Sequence, residues 1–139
     1  MKRAALFTLA AAGTLLAAGS AWAHHSFAAE FDRDKPVTVT GTVTKVEWMN
    51  PHARFYIDAK DEAGKIVNWD FELASPNGLM RRGWNRNSMK IGDTVTVTGH
   101  RAKNNDLVGN ASTVTMADGK RLFAGSSIEN EPAQQPAQK

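Results

Sequence analysis

Valine and threonine alternate along PVTVTGTVTKVEW, residues 36–48, with Val37, Val39 and Val43 in one parity. Period two is the signature of a strand with one face in a core. Val46 and Trp48 rejoin the apolar face only after a shift of one position, and Gly41 interrupts the run. A long strand with a glycine or bulge near its middle can bend and serve two parts of a sheet. RFYIDAK, residues 54–60, predicts a second strand with Phe55 and Ile57 inward, followed by the turn Asp61-Glu62-Ala63-Gly64. KIVNWDFEL, residues 65–73, predicts a third, with Val67, Trp69, Phe71 and Leu73 alternating against Asn68, Asp70 and Glu72.

The period then changes. Ser75 suits an N-cap and Pro76 the first helical position, where a missing N–H is harmless. The short helix predicted over residues 75–84 packs through Leu79, Met80 and Trp84. Gly92-Asp93 turns the chain into a fourth strand, TVTVTGHRAK, residues 94–103. The pentapeptide Val-Thr-Val-Thr-Gly occurs at 37–41 and again at 95–99, which marks two strands in similar surroundings. Asp118-Gly119 predicts a hairpin between residues 112–116 and 120–123. Three strands, a helix and further strands, with the first strand bent at a glycine, match the order of the OB-fold. The expected class is all-β with one short helix, a small five-stranded OB-fold-like barrel; an open antiparallel sandwich is the alternative.

The ends of the chain read differently. Met1-Lys2-Arg3 is basic, residues 4–18 are almost wholly apolar, and Ala21-Trp22-Ala23 has the small-large-small form of a signal-peptidase site. The apolar run is shorter than the roughly 20 residues a bilayer span requires. The predicted organisation is a signal peptide over 1–23, an N-terminal arm over 24–34, the barrel over 35–125 and a disordered Pro/Gln-rich tail over 126–139. Export to the periplasm, without stable membrane insertion after processing, follows from the leader. The net charge of +3 includes Lys2 and Arg3, so the mature chain is left at only +1. That balance gives no electrostatic footprint for nucleic acid. With no cysteine, the chain has neither disulfides nor thiolate ligands.

Five stretches then stand together: HHSFAAEFD, GTVTKVEWMNPHARFYID, ELASPNGLMRRGW, GDTVTVTGHRAK and DGKRLFAG. Through them the chain resembles a family of small exported bacterial proteins built on a domain of unknown function. The resemblance covers nearly all of the mature chain before the tail. It implies export and a small β-barrel, and it brings no catalytic residue.

The candidate chemistry rests on four histidines, His24, His25, His52 and His100. Cleavage after Ala23 makes His24 the first residue, whose α-amine and Nδ1 together form a two-nitrogen chelate. A third imidazole completes a donor set suited to copper, the metal at the top of the divalent affinity order. The amine has a reference pKa of about 7.7–8.0, so copper displaces its proton near neutrality. His25 offers a competing mode through the intervening amide, and His52 is the expected third ligand. The plainer readings are a loose arm that picks up adventitious metal and a turn histidine bonded to backbone. Met49, beside Trp48, is a thioether candidate for Cu(I), although neighbours on a strand point to opposite faces. His100 is expected to face solvent and ranks last.

Arg81, Arg82, Trp84 and Arg86 form a second candidate site, for an anionic small ligand or a protein partner independent of metal. Cations at a helix C-terminus give the same pattern without any ligand. Asp70 and Glu72 share a strand face, but the sequence shows no cleft for a paired-carboxylate hydrolase. Phosphate-loop, nucleophile-elbow and dinucleotide motifs are absent from the sequence. The expectation is a binding protein rather than an enzyme, with a metal ion or small ligand as its partner.

Overall fold

The computed structural model describes residues 27–125. Six strands, β1 (Phe31–Glu47), β2 (Arg54–Lys60), β3 (Ile66–Glu72), β4 (Thr94–Ala102), β5 (Val108–Met116) and β6 (Arg121–Phe123), share one sheet. Helix α1 (Pro76–Arg81) lies between β3 and β4. The strand order is β3-β2-β1-β4-β5, and a parallel pairing of Asp70–Glu72 with Val108–Asn110 closes the ring. This is the five-stranded OB-like barrel expected from the sequence, with β6 added outside it as a hairpin on β5. Closure removes most of the open edges that Val/Thr-rich strands would otherwise present.

β1 belongs to both halves of the ring. Pro36–Thr42 pair with β4 and Gly41–Glu47 pair with β2, so Gly41 and Thr42 have a partner on each side. The shift of one position foreseen after Val43 is a bulge: Val43 faces Ile57, while Lys45 faces Tyr56. Thr44 is the extra residue, and Val46 and Trp48 regain the core side beyond it. The two Val-Thr-Val-Thr-Gly segments are each other's partners. Val37 faces Gly99, Val39 faces Val97 and Gly41 faces Val95.

Both glycines mark close backbone approach. A Cβ on Gly41 would lie 2.4 Å from the Asp58 carbonyl oxygen, and one on Gly99 would lie 2.0 Å from that of Asn110. At Gly41 β1 takes up β2 as a second neighbour, and Gly99 sits at the register shift between β4 and β5.

The core inside the ring is built from Phe55, Ile57, Phe71, Val43, Val95, Val97 and Val114, all fully buried. Phe71 stacks between Phe55 and Trp69, with ring centroids 5.6 and 5.5 Å away. Such burial, at about 25 cal/mol per Å² of apolar surface, is the main term favouring the fold. Helix α1 starts as expected: Ser75 Oγ accepts from Gly78 N at 3.2 Å, and Pro76 occupies the first turn. Leu79 and Trp84 enter the core. Met80, expected to pack, is 51 % exposed, because a helix of barely two turns turns only one narrow face inward.

The expected arm also differs. Of residues 24–34, those from 27 onward are part of the fold: residues 27–30 are helical and β1 begins at Phe31 rather than Pro36. Phe27 and Phe31, four apart, meet at a tilt of 35° with ring centroids 5.5 Å apart and bury against Ala102 and Val108 on the outside of β4 and β5. Lys103 N donates to Glu30 O at 2.9 Å, and Lys103 Nζ donates to the Ala28 carbonyl. The leader over 1–23, the residues His24 and His25, and the tail over 126–139 lie outside the described residues.

Candidate functional site

The antiparallel and parallel registers bring one polar row onto the outer face of the barrel. Arg54 on β2 faces Glu72 on β3, Glu72 faces Asn110 on β5, and Asn110 faces His100 on β4. Arg54 grips Asp70 with two hydrogen bonds of 3.0 Å, from Nε and Nη2, and donates to Glu72 through Nη1 at 3.2 Å. The paired carboxylates foreseen at Asp70 and Glu72 are therefore spanned by one guanidinium. Burial works against the charge on Arg54, but the hydrogen bond and charge of Asp70 and the charge of Glu72 prevail, so its pKa is raised.

Glu72 is the most enclosed carboxylate of the row, its side chain 14 % exposed. Burial pushes its carboxyl above the ordinary value of 4.5; His52 and Arg54 pull it down, while Glu30 adds to the rise. The folded protein thus retains a proton that the unfolded chain releases. The stabilising contribution is complete below the unfolded pKa and is lost as pH rises through the folded one. Replacing Glu72 by glutamine is expected to flatten that decline. Urea denaturation at steps between about pH 4 and 8 reads it as a smaller slope of unfolding free energy against pH.

His52 lies in the β1–β2 connection, after the cis Asn50–Pro51 bond. Its Nδ1 lies 3.0 Å from the Leu73 carbonyl oxygen, and 3.7 Å from Glu72 Oε1. A carbonyl only accepts, so Nδ1 carries a proton and donates it to Leu73 O. This is the backbone-bonded turn histidine of the plainer reading. It is also how a ligating imidazole is usually held. Met49 is 57 % exposed while Trp48 packs on the core, so the two do not form one site.

His100 occupies the place that the sequence ranks last. Its side chain points outward, as expected, but it is half-buried because the arm covers it. The ring of Phe27 meets it edge-on at 5.9 Å. Next to it, Asn110 is 6 % exposed; its Nδ2 donates to Glu72 Oε1 at 3.4 Å, and its Oδ1 is buried with no hydrogen-bond partner. Among the described residues, no group of three His, Cys, Asp or Glu side chains is placed to hold a metal ion.

The Arg-rich stretch does not form one ligand surface. Trp84 is a core residue, 4 % exposed, and its Nε1 donates to the Phe123 carbonyl at 2.9 Å. An indole used in this way offers no exposed platform. Arg82 donates to the Gly125 carbonyl and holds the end of the described chain against the helix, while Arg81 and Arg86 are exposed. A cleft of about 380 Å³ runs beneath the arm, lined by Glu30, Phe31, Arg54, Lys103 and Val108 among others. A wider groove of about 710 Å³ opens at the barrel mouth beside Val37, Val39, Val67 and Trp69, where Arg101 lies 5.3 Å from the Trp69 ring. No helix of the described residues is long and apolar enough to cross a membrane.

Fold and site together define a small OB-like β-barrel with residues 27–31 packed on the outside of β4 and β5. The chain belongs to the family described as a family of unknown function (DUF6152), whose model matches residues 13–111. No curated protein matches it.

Proposed function

We propose that this family member is an exported, periplasmic binding protein that loses residues 1–23 and holds a copper ion through the new N-terminal residue, His24. The observation that carries this reading is the fastening of the arm. Phe27 and Phe31 are buried against Ala102 and Val108, and Lys103 bonds the backbone of Glu30. Only His25 and Ser26 separate His24 from Phe27, so the two Cα positions are at most about 10–11 Å apart at full extension. Tethering of this kind keeps the chelate at high effective concentration beside the barrel. His24 supplies the amine and Nδ1; His25 or His52 supplies a further nitrogen. Nitrogen donors in such a set suit Cu(II). The role is capture of the ion rather than catalysis.

The intact mass of the exported protein tests the first step, and a first residue other than His24 overturns the reading. Copper titration of the mature chain is then compared with the same chain carrying one extra N-terminal Met. An orienting partner alone is worth 10–100-fold in metal affinity, so removing the terminal chelate is expected to weaken binding by at least about 100-fold. Affinity unchanged by the extra Met rejects an amine-dependent site.

A further inference from the structure

We infer that the groove at the barrel mouth receives the carboxy-terminal end of a partner protein. That end adds to the free edge of β1 as a short antiparallel strand and places its terminal carboxylate on Arg101. The inference is independent of the copper reading and uses described residues alone.

The free edge follows from the direction of the backbone groups. Val43 N donates to Asp93 O at 2.9 Å and Val43 O accepts from Gly92 N at 2.8 Å, so Val43 faces the β4 side. Along an antiparallel strand these groups alternate between the two edges. Val37, Val39 and Gly41 therefore turn theirs to β4, which they face in unbroken register, and Thr38, Thr40 and Thr42 turn theirs to the opposite edge. Thr42 meets Asp58 of β2 there, and the β1–β2 ladder stops at Gly41 and Ala59. Thr38 lies beyond its end: among the described residues no backbone group bonds its outward N–H and C=O. Upstream, the register breaks between Phe31 and Pro36, and Pro36 has no N–H to offer. The open stretch is thus confined to residues 36–40.

The groove of about 710 Å³ lies along this edge, with Val39, Val67, Trp69 and Leu107 among its apolar lining. A strand laid on β1 turns every second side chain toward that lining. In strand addition of this kind, main-chain bonds give affinity and pockets for alternate side chains give specificity. Arg101 sets the direction. His100 faces Pro36, so Arg101, the next residue of β4, lies past the N-terminal end of the open edge. Its Nε donates to Asp106 O at 3.1 Å, its Nη2 to Asn105 O at 2.6 Å, and its guanidinium lies 5.3 Å from the Trp69 ring centroid. These contacts fix the side chain, and its charge has no carboxylate partner among the described residues. An antiparallel guest runs toward that end of β1 and arrives with its C-terminal carboxylate, which a guanidinium binds strongly. A parallel guest would bring an amine against the same cation.

The test is an NMR titration of the exported protein with the N-acetylated peptide Thr-Val-Thr-Val-Thr-Gly, bearing a free C-terminus. This is the sequence of residues 94–99, which pairs antiparallel with the other edge of the same strand. The Thr38 amide signal is expected to shift, and its exchange with deuterium to slow by at least about 10-fold. Amidating the peptide C-terminus is expected to weaken binding by about 10–100-fold. Arg101→Gln is expected to cause the same loss with the free acid and none with the amide, which also shows that the variant remains folded. N-methylation of alternate peptide residues in one parity is expected to abolish binding, and in the other parity to leave it. No change at Thr38 at millimolar peptide, or shifts confined to Val67 and Trp69, overturns strand addition. Equal binding of acid and amide overturns the role of Arg101. A Thr38 amide already protected without peptide, in a protein that sediments as a dimer, overturns the proposal in favour of a second copy on the same edge.

Discussion

Gly99→Ala is expected to destabilise the protein by at least about 3 kcal/mol, near the top of the range for overpacked cores. The reason is the target of the collision. The new methyl would lie 2.0 Å from Asn110 O and 3.0 Å from Ala111 Cα, both backbone atoms of β5. No rotamer change relieves such a contact, so β4 and β5 must separate where the ring closes. Natural domains have only about 5–15 kcal/mol to lose. For a domain of this size the loss corresponds to a fall in Tm of about 15 °C or more, read by calorimetry or by urea denaturation. Gly41→Ala, aimed at Asp58 O at 2.4 Å, is expected to act in the same direction at the β1–β2 junction. A Gly99→Ala protein that melts within a few degrees of the parent would show that the strands do not approach as described.

Phe71→Ala is expected to destabilise by about 3–5 kcal/mol, the range for removing a fully buried phenylalanine. Phe71 has no solvent exposure, and its ring is the middle member of the Phe55–Phe71–Trp69 stack. The same ring fixes a second residue. A Cβ on Gly109 would lie 2.6 Å from Phe71 Cε1, so β5 accommodates the stack only with glycine at that position. Gly109→Ala is expected to destabilise the parent and to cost less in a Phe71→Leu background, with a coupling of at least about 1 kcal/mol. Additive effects in that double-mutant cycle, measured by urea denaturation, would contradict the packing of Phe71 on Gly109.

Strands with one buried face were legible in the sequence. β2 and β3 follow the alternation around Phe55, Ile57, Trp69 and Phe71, and the Ser75-Pro76 cap sets the start of α1. The hairpin at Asp118-Gly119 was legible because Gly119 supplies the positive φ of 85° that the turn requires. The start of β1 was not. Asp32, Arg33, Asp34 and Lys35 lie among its first residues and show no alternation, since this part of the strand forms the barrel's edge. The spacing of Phe27 and Phe31, one helical turn apart, was the available signal for the packed arm. The site was less legible than the fold. Asp70 and Glu72 were visible as a pair on one face, but their partner Arg54 is set by strand register. Asn110 meets Glu72 only through the parallel β3–β5 closure, a contact 38 positions apart that no local pattern encodes. The outward position of His100 was readable from parity. Its cover was not, because it comes from the arm.

The matching pentapeptides carry a kinetic consequence. Thr40 and Thr96, whose hydroxyls meet at 2.8 Å in the middle of that pair, are 56 positions apart. The chain must close a loop of that size before the ring's central ladder yields any energy, and loop closure of this kind slows folding far more than it lowers equilibrium stability. Until then, a stretch rich in valine and threonine waits without its mate, and the same stretch on a neighbouring molecule has a sequence equally able to fill the place. Dilution during refolding therefore governs yield, and crowding of nascent copies is the hazard that this symmetry of sequence creates.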